Sequence, residues 1–533
     1  MLILQNISYI HPDKELLFNN INLTINDHLK IALTGNNGTG KSTLLKIIAG
    51  QLQPSTGELK VNSNPYYVPQ IFGQYNQLTI AQALQIEDKL NALKEILNGH
   101  VTESNLNLLQ DDWAIEERCE EALKSWHLEG LDLNQKMETL SGGQKTKVFL
   151  AGISIHEPQL VLLDEPSNHL DVAGRQLLHR FIESSSATSI VVSHDRKLLN
   201  LLDTVFELNK NEITIYGGNY DFYAQQKQIA NNALKQDLMN QEKALRKAKE
   251  KERETMERQQ RADSRGKKKQ EKAGVARIMM NTLRNKAENS TSKIKSVHTE
   301  KITGISNEIQ ELRSGLPDMD KMKFGFDHSS LHKGKILFTA TGINFRYDDG
   351  FLWNENLNCE IVSGERIALK GLNGAGKTTL IKIILGQLKP KTGSIYSAEN
   401  KCIYIDQDYS LIDNRLSLYQ QAQQFNTTGL HEHEIKIRLS RFLFTKETWN
   451  KPCGTLSGGE KMRMMLCCLN IKNQSPDIMI LDEPTNNLDI QNIEILTAAI
   501  NEYEGTLIVV SHDEYFLKEI DVRREIELPS KKI

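Results

Sequence analysis

The sequence predicts two α/β domains of one kind, each a parallel sheet between helices, joined by a helical hairpin. Three observations predict it. Four short motifs recur in one order, apolar runs beside them alternate with helical patterns, and a long middle segment has almost no strand signal. Residues 1–222 read as the first α/β domain, 223–318 as the linker and 319–533 as the second α/β domain. At roughly 100–200 residues per domain, a chain of 533 residues accommodates this division.

The repeat comes first. Gly35-Asn36-Asn37-Gly38-Thr39-Gly40-Lys41-Ser42 returns as Gly371-Leu372-Asn373-Gly374-Ala375-Gly376-Lys377-Thr378, an offset of 336. Leu140-Ser141-Gly142-Gly143-Gln144 returns as Leu456-Ser457-Gly458-Gly459-Glu460, an offset of 316. Asp164-Glu165-Pro166 and Ser193-His194-Asp195 return at an offset of 318, as Asp482-Glu483-Pro484 and Ser511-His512-Asp513. The fall from 336 to 316 gives the first copy about 20 extra residues between Gln70 and Leu140, and the polar stretch 97–113 is the expected place for them.

The elements follow in order. Lys30–Thr34 and Arg366–Lys370 are short apolar runs leading into the glycine-rich turns, and Thr43–Ile48 and Thr379–Ile384 have helical patterns. Leu160–Leu163 and Ile478–Leu481 are continuous apolar runs ending in an aspartate; Ser189–Val192 and Leu507–Val510 end in Ser-His-Asp. Such runs are typical of parallel strands buried on both faces. In the middle segment, apolar seams at Leu234, Leu238, Leu245, Ala248 and at Ile302, Ile305, Ile309, Leu312 have the spacing of two pairing helices. Their turn is expected near Gly266 to Asn289, with Gly274 as the breaker.

Composition narrows the function classes. There are 65 basic and 68 acidic residues, a formal net charge of −3, so no global excess marks a polyanion binder. Locally the balance differs: residues 241–295 hold 18 Lys/Arg against 8 Asp/Glu. No apolar run approaches the ~20 residues of a spanning helix. Met1–Asn6 lacks the pattern of a secretory signal. The six cysteines form no CxxC, which argues against zinc and iron–sulfur sites and fits a reducing cytoplasm.

The motifs carry chemistry. GxxxxGK[ST] between a strand and a helix is a phosphate-binding loop, whose backbone N–H groups and helix N-terminus face the phosphates. Here that covers Gly35 to Thr43 and Gly371 to Thr379, with Lys41 and Lys377 reaching the β- and γ-phosphates and Ser42 and Thr378 holding Mg²⁺. Asp164 and Asp482 end apolar strands where a carboxylate reaches Mg²⁺, while Glu165 and Glu483 are placed to polarise an attacking water. His194 and His512 end the next strands, in reach of the γ-phosphate or the water. Ser141–Gln144 and Ser457–Glu460 open helices as second anion sites, each serving a phosphate bound to the other copy.

With these motifs the chain resembles the ATP-binding cassette (ABC) superfamily. Gln70 and Gln407, after Tyr67-Val68-Pro69 and Tyr404-Ile405-Asp406, match the family's Q-loop glutamine near Mg²⁺, and Tyr347 its adenine-stacking aromatic, a place His11 takes in the first copy. The resemblance implies a head-to-tail cassette dimer within one chain, holding two ATP molecules with Mg²⁺. One site would join Gly35–Thr43, Asp164, Glu165 and His194 to Ser457–Glu460; the other would join Gly371–Thr379, Asp482, Glu483 and His512 to Ser141–Gln144.

Two cassettes, no spanning segment and a basic linker of about 95 residues resemble the ABC-F subfamily, as do the stretch Tyr216–Tyr223 and the turns Ser167–Asp171 and Thr485–Asp489. That likeness implies a cytoplasmic, ribosome-associated ATPase whose linker acts on stalled or antibiotic-blocked translation, touching ribosomal RNA and tRNA. From 224 to 320 there is no Phe, Trp or Tyr to stack on unpaired bases, so the linker is expected to read RNA backbone and shape. Val275, Ile278, Met279, Met280 and Leu283 at the turn are expected to close the hairpin, with contact to RNA bases as the alternative. The rival readings are an ATPase subunit of a membrane transporter and a branched-DNA repair ATPase.

Overall fold

The computed structural model describes all residues except 13, 15, 273–276, 316–321, 323–331, 333, 348–349, 373, 473–475, 487 and 530–533. For 263, 266–272, 277–291, 294 and 314–315 it describes the backbone alone. The chain divides into two compact units, Met1–Tyr223 with Met322–Ile533, and Ala224–Lys321.

The first unit holds both repeats. In the first copy the central sheet has six strands in the order Tyr66–Val68, Leu160–Asp164, Thr188–Val192, Lys30–Thr34, Thr204–Leu208 and Ile213–Tyr216. The second copy repeats the first five as Cys402–Ile405, Ile478–Asp482, Thr506–Val510, Arg366–Lys370 and Arg524–Glu527. Those five are parallel; the sixth strand of the first copy pairs antiparallel with Thr204–Leu208. The expected apolar runs are these strands. Each is fully or nearly buried because helices cover both faces.

A second, three-stranded antiparallel sheet lies in each copy: Leu16–Ile25, Leu2–Ile10, Thr56–Val61 in the first and Leu357–Val362, Ile336–Asn344, Thr392–Ser397 in the second. It packs its apolar face toward the helix after the glycine turn. Leu4, Ile7 and Phe18 share a buried cluster with Leu44, Leu45 and Ile47 of helix Lys41–Ile48, and with Leu162 and Ile190 of the central sheet. The second copy assembles Leu337, Phe338, Trp353, Leu380, Ile381 and Ile480 in the same way. This sandwiching fixes the start of each helix at the carboxyl ends of the strands, where ligands bind in open α/β sheets.

The extra residues of the first copy form two helices, Glu87–Leu97 and Glu103–Leu109, between the short helix Ile80–Ala83 and Ile115–Ser125. In the second copy Leu418–Gln424 leads to Glu432–Arg441 with no helix between. The excess therefore begins before the polar stretch 97–113.

The second unit is helical. Helix Tyr220–Lys272 has 53 residues, about 80 Å of rise, and Arg277–Gly315 has 39. In the first helix the half-buried positions include 231, 234, 238, 241, 245, 248 and 252, the 3–4 alternation of a coiled-coil seam. Ile302, Ile305, Ile309 and Leu312 supply the facing row, and Ile309 is buried. Arg313, near the end of the second helix, donates to Glu242 at 2.7 Å, so the two run antiparallel. Gly274 and Val275 lie outside the described residues, as does the expected boundary at 318, and of Ile278, Met279, Met280 and Leu283 only the backbone is described.

Candidate nucleotide sites

Each glycine-rich turn ends in a left-handed residue that aims the next helix. Gly40 and Gly376 have φ of 96° and 90°. A Cβ on Gly40 would come within 2.8 Å of Leu17 and Phe18, so glycine is needed for space as well as for φ. Lys41 Nζ donates to the carbonyls of Gly35 and Asn36 at 2.7 and 3.0 Å, and Lys377 Nζ to Gly371 at 2.8 Å. Burial lowers the Lys41 ammonium from its ordinary value, partly offset by Glu165, Asp489 and Asp164. Asn373 lies outside the described residues.

In the first copy a cavity of about 540 Å³ opens over this turn, lined by Asn37, Gly38, Gly40, Lys41, Ser42 and Thr43 and walled by His11, Gln70, Asp164, Glu165 and His194. The structure thus brings the expected residues of that copy together around one space. Ser42 Oγ donates to Asp164 Oδ1 at 3.0 Å. Burial raises the Asp164 carboxyl, and the hydrogen bonds from Ser42 and Tyr67 pull it back down.

Glu165 and Glu483 sit just past the strand ends in the left-handed region, with φ of 51° and 48°. Their backbone N–H groups donate to Val192 and Val510 of the neighbouring strands at 2.8 Å. The conformation costs a non-glycine residue of order 1 kcal/mol and is held by these bonds. It turns Glu165 Oε1 to within 3.1 Å of His194 Nε2, and Glu483 Oε1 to within 3.3 Å of His512 Nε2. Burial pushes Glu165 up to about 8 and Glu483 up to about 7, while it draws both histidines down to about 4. Both oxygens of the Glu165 carboxyl are buried, and a bond from the His194 backbone and the charge of Lys41 offset part of the rise.

The signature turns are helix caps. Ser141 Oγ accepts from the Gln144 N–H at 3.3 Å, and Gln144 Oε1 accepts from the Ser141 N–H at 2.9 Å. Glu460 returns the same bond to the Ser457 N–H at 2.9 Å. A Cβ on Gly143 would come within 2.7 Å of the His169 carbonyl in the turn after the Asp-Glu strand, and one on Gly459 within 2.2 Å of Asn492 in the helix Ile490–Glu502. Among the described residues no hydrogen bond or ion pair joins either signature to the other copy's glycine turn. The copies meet elsewhere. Asp489 Oδ2 accepts from the Asn37 N–H at 3.1 Å, and Arg196 and Lys197 pair with Glu519 and Glu514 at 2.6 and 2.5 Å.

Sequence reasoning missed two tyrosines. Tyr67 OH donates to Asp164 Oδ2 at 3.1 Å and Tyr404 OH to Asp482 Oδ2 at 2.8 Å. The available signal was a tyrosine three residues before Gln70 and again before Gln407. Tyr347 is 63% exposed and its hydroxyl meets Thr379 Oγ1 at 2.9 Å, which places it at the rim of the second glycine turn.

The family described as ABC transporter matches residues 18–168 and 354–486, which hold both glycine turns, both Ser-Gly-Gly turns and both Asp-Glu strand ends. The chain belongs to the ATP-binding cassette family. Its relatives place it in the ABC-F branch and make it an ATP hydrolase. It is 30% identical to the probable ATP-binding protein YbiT of Escherichia coli O157:H7, over 98% of this chain and 95% of that one. It is 29% identical to ABC transporter F family member 2 of Arabidopsis thaliana, over 94% and 72%. The fold also matches a solved archaeal ribosome recycling factor, aABCE1, in complex with the ribosomal stalk protein aP1. There the TM-score is 0.61 at 20% identity, over 97% of this ABC-F ATPase and 86% of that chain. No helix among the described residues is long and apolar enough to cross a membrane.

Proposed function

We propose that this ABC-F ATPase works in the cytoplasm on the ribosome, engaging it in the ATP-bound state, acting on stalled or antibiotic-inhibited translation through its basic helices, and leaving upon hydrolysis. The observation that carries the reading is the excess of ten positive charges over residues 241–295, in a pair of long helices inserted between two nucleotide-binding copies. Cations at that density, without aromatics, suit the phosphates of folded ribosomal RNA and tRNA and not a base sequence. A transporter subunit or a branched-DNA repair ATPase is the other reading; neither accounts for such a pair of helices. The name of the ABCE1 neighbour, a ribosome recycling factor, agrees with the first reading.

In this reading Gly35–Thr43 and Gly371–Thr379 hold the triphosphates, with Lys41 and Lys377 on the β- and γ-phosphates. Ser42 with Asp164, and Thr378 with Asp482, would hold Mg²⁺, with Gln70 and Gln407 beside them. The fit rests on the Ser42–Asp164 bond of 3.0 Å. One carboxylate and one hydroxyl suit Mg²⁺, which keeps waters and phosphate oxygens as its other ligands. When bound, Mg²⁺ neutralises charge on the phosphates. Glu165 and Glu483, raised by burial, take the proton of a water attacking the γ-phosphorus, and His194 and His512 orient that water. ATP closes the copies by bridging each glycine turn to the opposite signature, Ser457–Glu460 or Ser141–Gln144.

Co-sedimentation tests the reading. The variant Glu165→Gln/Glu483→Gln with ATP should pellet with ribosomes. Replacing Lys267, Lys268 and Lys269 by Glu should weaken that binding and flatten its salt dependence. Pelleting with membranes or with branched DNA instead of ribosomes would refute it.

A further inference from the structure

One short helix of the first copy touches both histidine segments and the start of the long basic helix. Arg196–Asn200 follows Ser193-His194-Asp195, and its counterpart Glu514–Glu519 follows Ser511-His512-Asp513. A hook of hydrogen bonds fastens each histidine to the helix behind it. Ser193 Oγ accepts from the Asp195 N–H at 3.1 Å, and Asp195 Oδ1 accepts from the Lys197 and Leu198 N–H groups at 3.0 and 3.2 Å. In the second copy Ser511 Oγ accepts from the Asp513 N–H at 3.1 Å, and Asp513 Oδ1 from the Phe516 N–H at 3.0 Å. Each histidine therefore stands between a buried strand end and a helix cap, with little backbone freedom of its own.

The two helices pair across the copies. Arg196, which is buried, donates to Glu519 Oε1 at 2.6 Å, and Lys197 donates to Glu514 Oε2 at 2.5 Å. Asn200 Nδ2 reaches the Tyr515 hydroxyl at 3.3 Å. The charges are complementary: directly after Ser-His-Asp the first copy has Arg196 and the second has Glu514.

The third contact is with the root of the helix Tyr220–Lys272, whose first residues, Tyr220 to Tyr223, belong to the same compact unit as the two copies. Asn200 Nδ2 donates to Asp221 Oδ1 at 3.0 Å, and Asn200 Oδ1 accepts from the Asp221 N–H at 2.9 Å. A primary amide has two N–H donors, enough for Asp221 and Tyr515 together. The root has a second tie. Tyr216 and Tyr223 both donate to Glu207 at 3.2 Å, and Glu207 lies opposite Thr34 on the strand beside Lys30–Thr34. The single amide of Asn200 thus joins the root to the helix behind His194 and to the helix behind His512.

We propose that the helix Arg196–Asn200 is a relay that carries the nucleotide state of both sites to the basic helix, with Asn200 as the positioning residue that couples it to Asp221. ATP fixes each histidine, the hooks pass that order to the paired helices, and Asn200 passes it to the first turns of Tyr220–Lys272. This rests on the reading that the histidines attend the γ-phosphate and that ATP draws the copies together.

The test uses the purified full chain without ribosomes, as the Glu165→Gln/Glu483→Gln variant, so that ATP persists. Hydrogen exchange is followed in Arg196–Asn200 and in residues 221–230, with and without ATP, and ATP affinity is measured alongside. In this parent, ATP should slow exchange in both segments. Asn200→Ala should leave ATP affinity and the slowing in Arg196–Asn200 unchanged, and should cut the slowing in 221–230 by about fivefold, the scale of one hydrogen bond. Asn200→Asp should do the same, because it sets two carboxylates against each other. Asn200→Asp/Asp221→Asn, which exchanges donor and acceptor, should restore the slowing. Full slowing in 221–230 with Asn200→Ala would overturn the proposal. So would an ATP affinity that falls in step with the lost slowing, since Asn200 would then serve the nucleotide site itself. If ATP slows Arg196–Asn200 in the parent but not 221–230, the relay is refuted and closure by ATP stands; if bound ATP slows neither, both fail.

Discussion

In the first nucleotide site the Glu165 side chain is 5% exposed and meets His194 at 3.1 Å; in the second, Glu483 is 16% exposed and meets His512 at 3.3 Å. Both glutamates follow an apolar strand and an aspartate, and both adopt the same left-handed backbone. Their surroundings differ. Glu165 has Lys41 as its cation, while Glu483 has Lys377 and, from the opposite copy, Arg175. Asp164 accepts from both Ser42 and Tyr67, whereas among the described residues Asp482 accepts from Tyr404 alone. The motif fixes which chemistry a site can do. The second layer, contributed by distant segments and by the other copy, fixes how firmly each group is held.

The largest effect tests whether the sites are alike at their centre. Glu165→Gln/Glu483→Gln should lower steady-state ATP turnover by about a hundredfold or more, the scale of a lost general base. Each single change should leave a residual rate, and the two residual rates should differ. Equal rates would break the comparison drawn above.

A smaller effect concerns the aspartates. Tyr404→Phe removes the one donor to Asp482, while Tyr67→Phe leaves Asp164 with Ser42. Partners that orient a metal ligand are worth on the order of tenfold in metal affinity. Tyr404→Phe in the Glu165→Gln background should therefore raise the Mg²⁺ concentration for half-maximal turnover by about that factor. Tyr67→Phe in the Glu483→Gln background should raise it less. An equal rise would mean that Ser42 gives Asp164 no added support.

Much of this was legible in the sequence because the motifs are local. The glycine turns, the Asp-Glu strand ends and the caps at Ser141 and Ser457 each need only a few consecutive residues, so spacing alone placed them. The linker seam was legible for the same reason, since Leu234, Leu238, Leu245 and Ala248 express one helix's periodicity. Contacts that depend on tertiary approach were not. Nothing near Asn37 in the chain announces Asp489, and Arg175 reads as an ordinary exposed helix residue until the second copy is set beside it.

The two helix-capping aspartates sharpen the comparison further. Asp171 and Asp489 each cap a helix, and Asp489 also receives the Asn37 N–H at 3.1 Å. Loss of a cap costs about 1 kcal/mol. Asp171→Ala should cost about that much in urea unfolding. Asp489→Ala should cost more than that, because Asp489 is buried and also accepts from the Asn37 N–H and from Asn492 Nδ2.

The smallest effect belongs to the first copy's added helices, which have no counterpart in the second. Asp112 lies between them and Ile115–Ser125, accepting from Arg118 at 2.6 Å and Lys89 at 3.1 Å. Partial burial disfavours the carboxylate, but the bonds from Arg118 and Lys89 outweigh it and hold Asp112 below its ordinary value of 3.8. A carboxyl depressed in the folded state stabilises the fold above its unfolded value, and that contribution fades as pH falls through the folded value. Asp112→Asn should therefore cost roughly 1 kcal/mol at neutral pH. It should do so by speeding hydrogen exchange in Glu87–Leu97 while leaving Glu432–Arg441 unchanged. The difference from the wild type should hold down to about pH 4 and shrink below it. A gap that instead widened on acidification would mean that Asp112 is held by something other than its two cations.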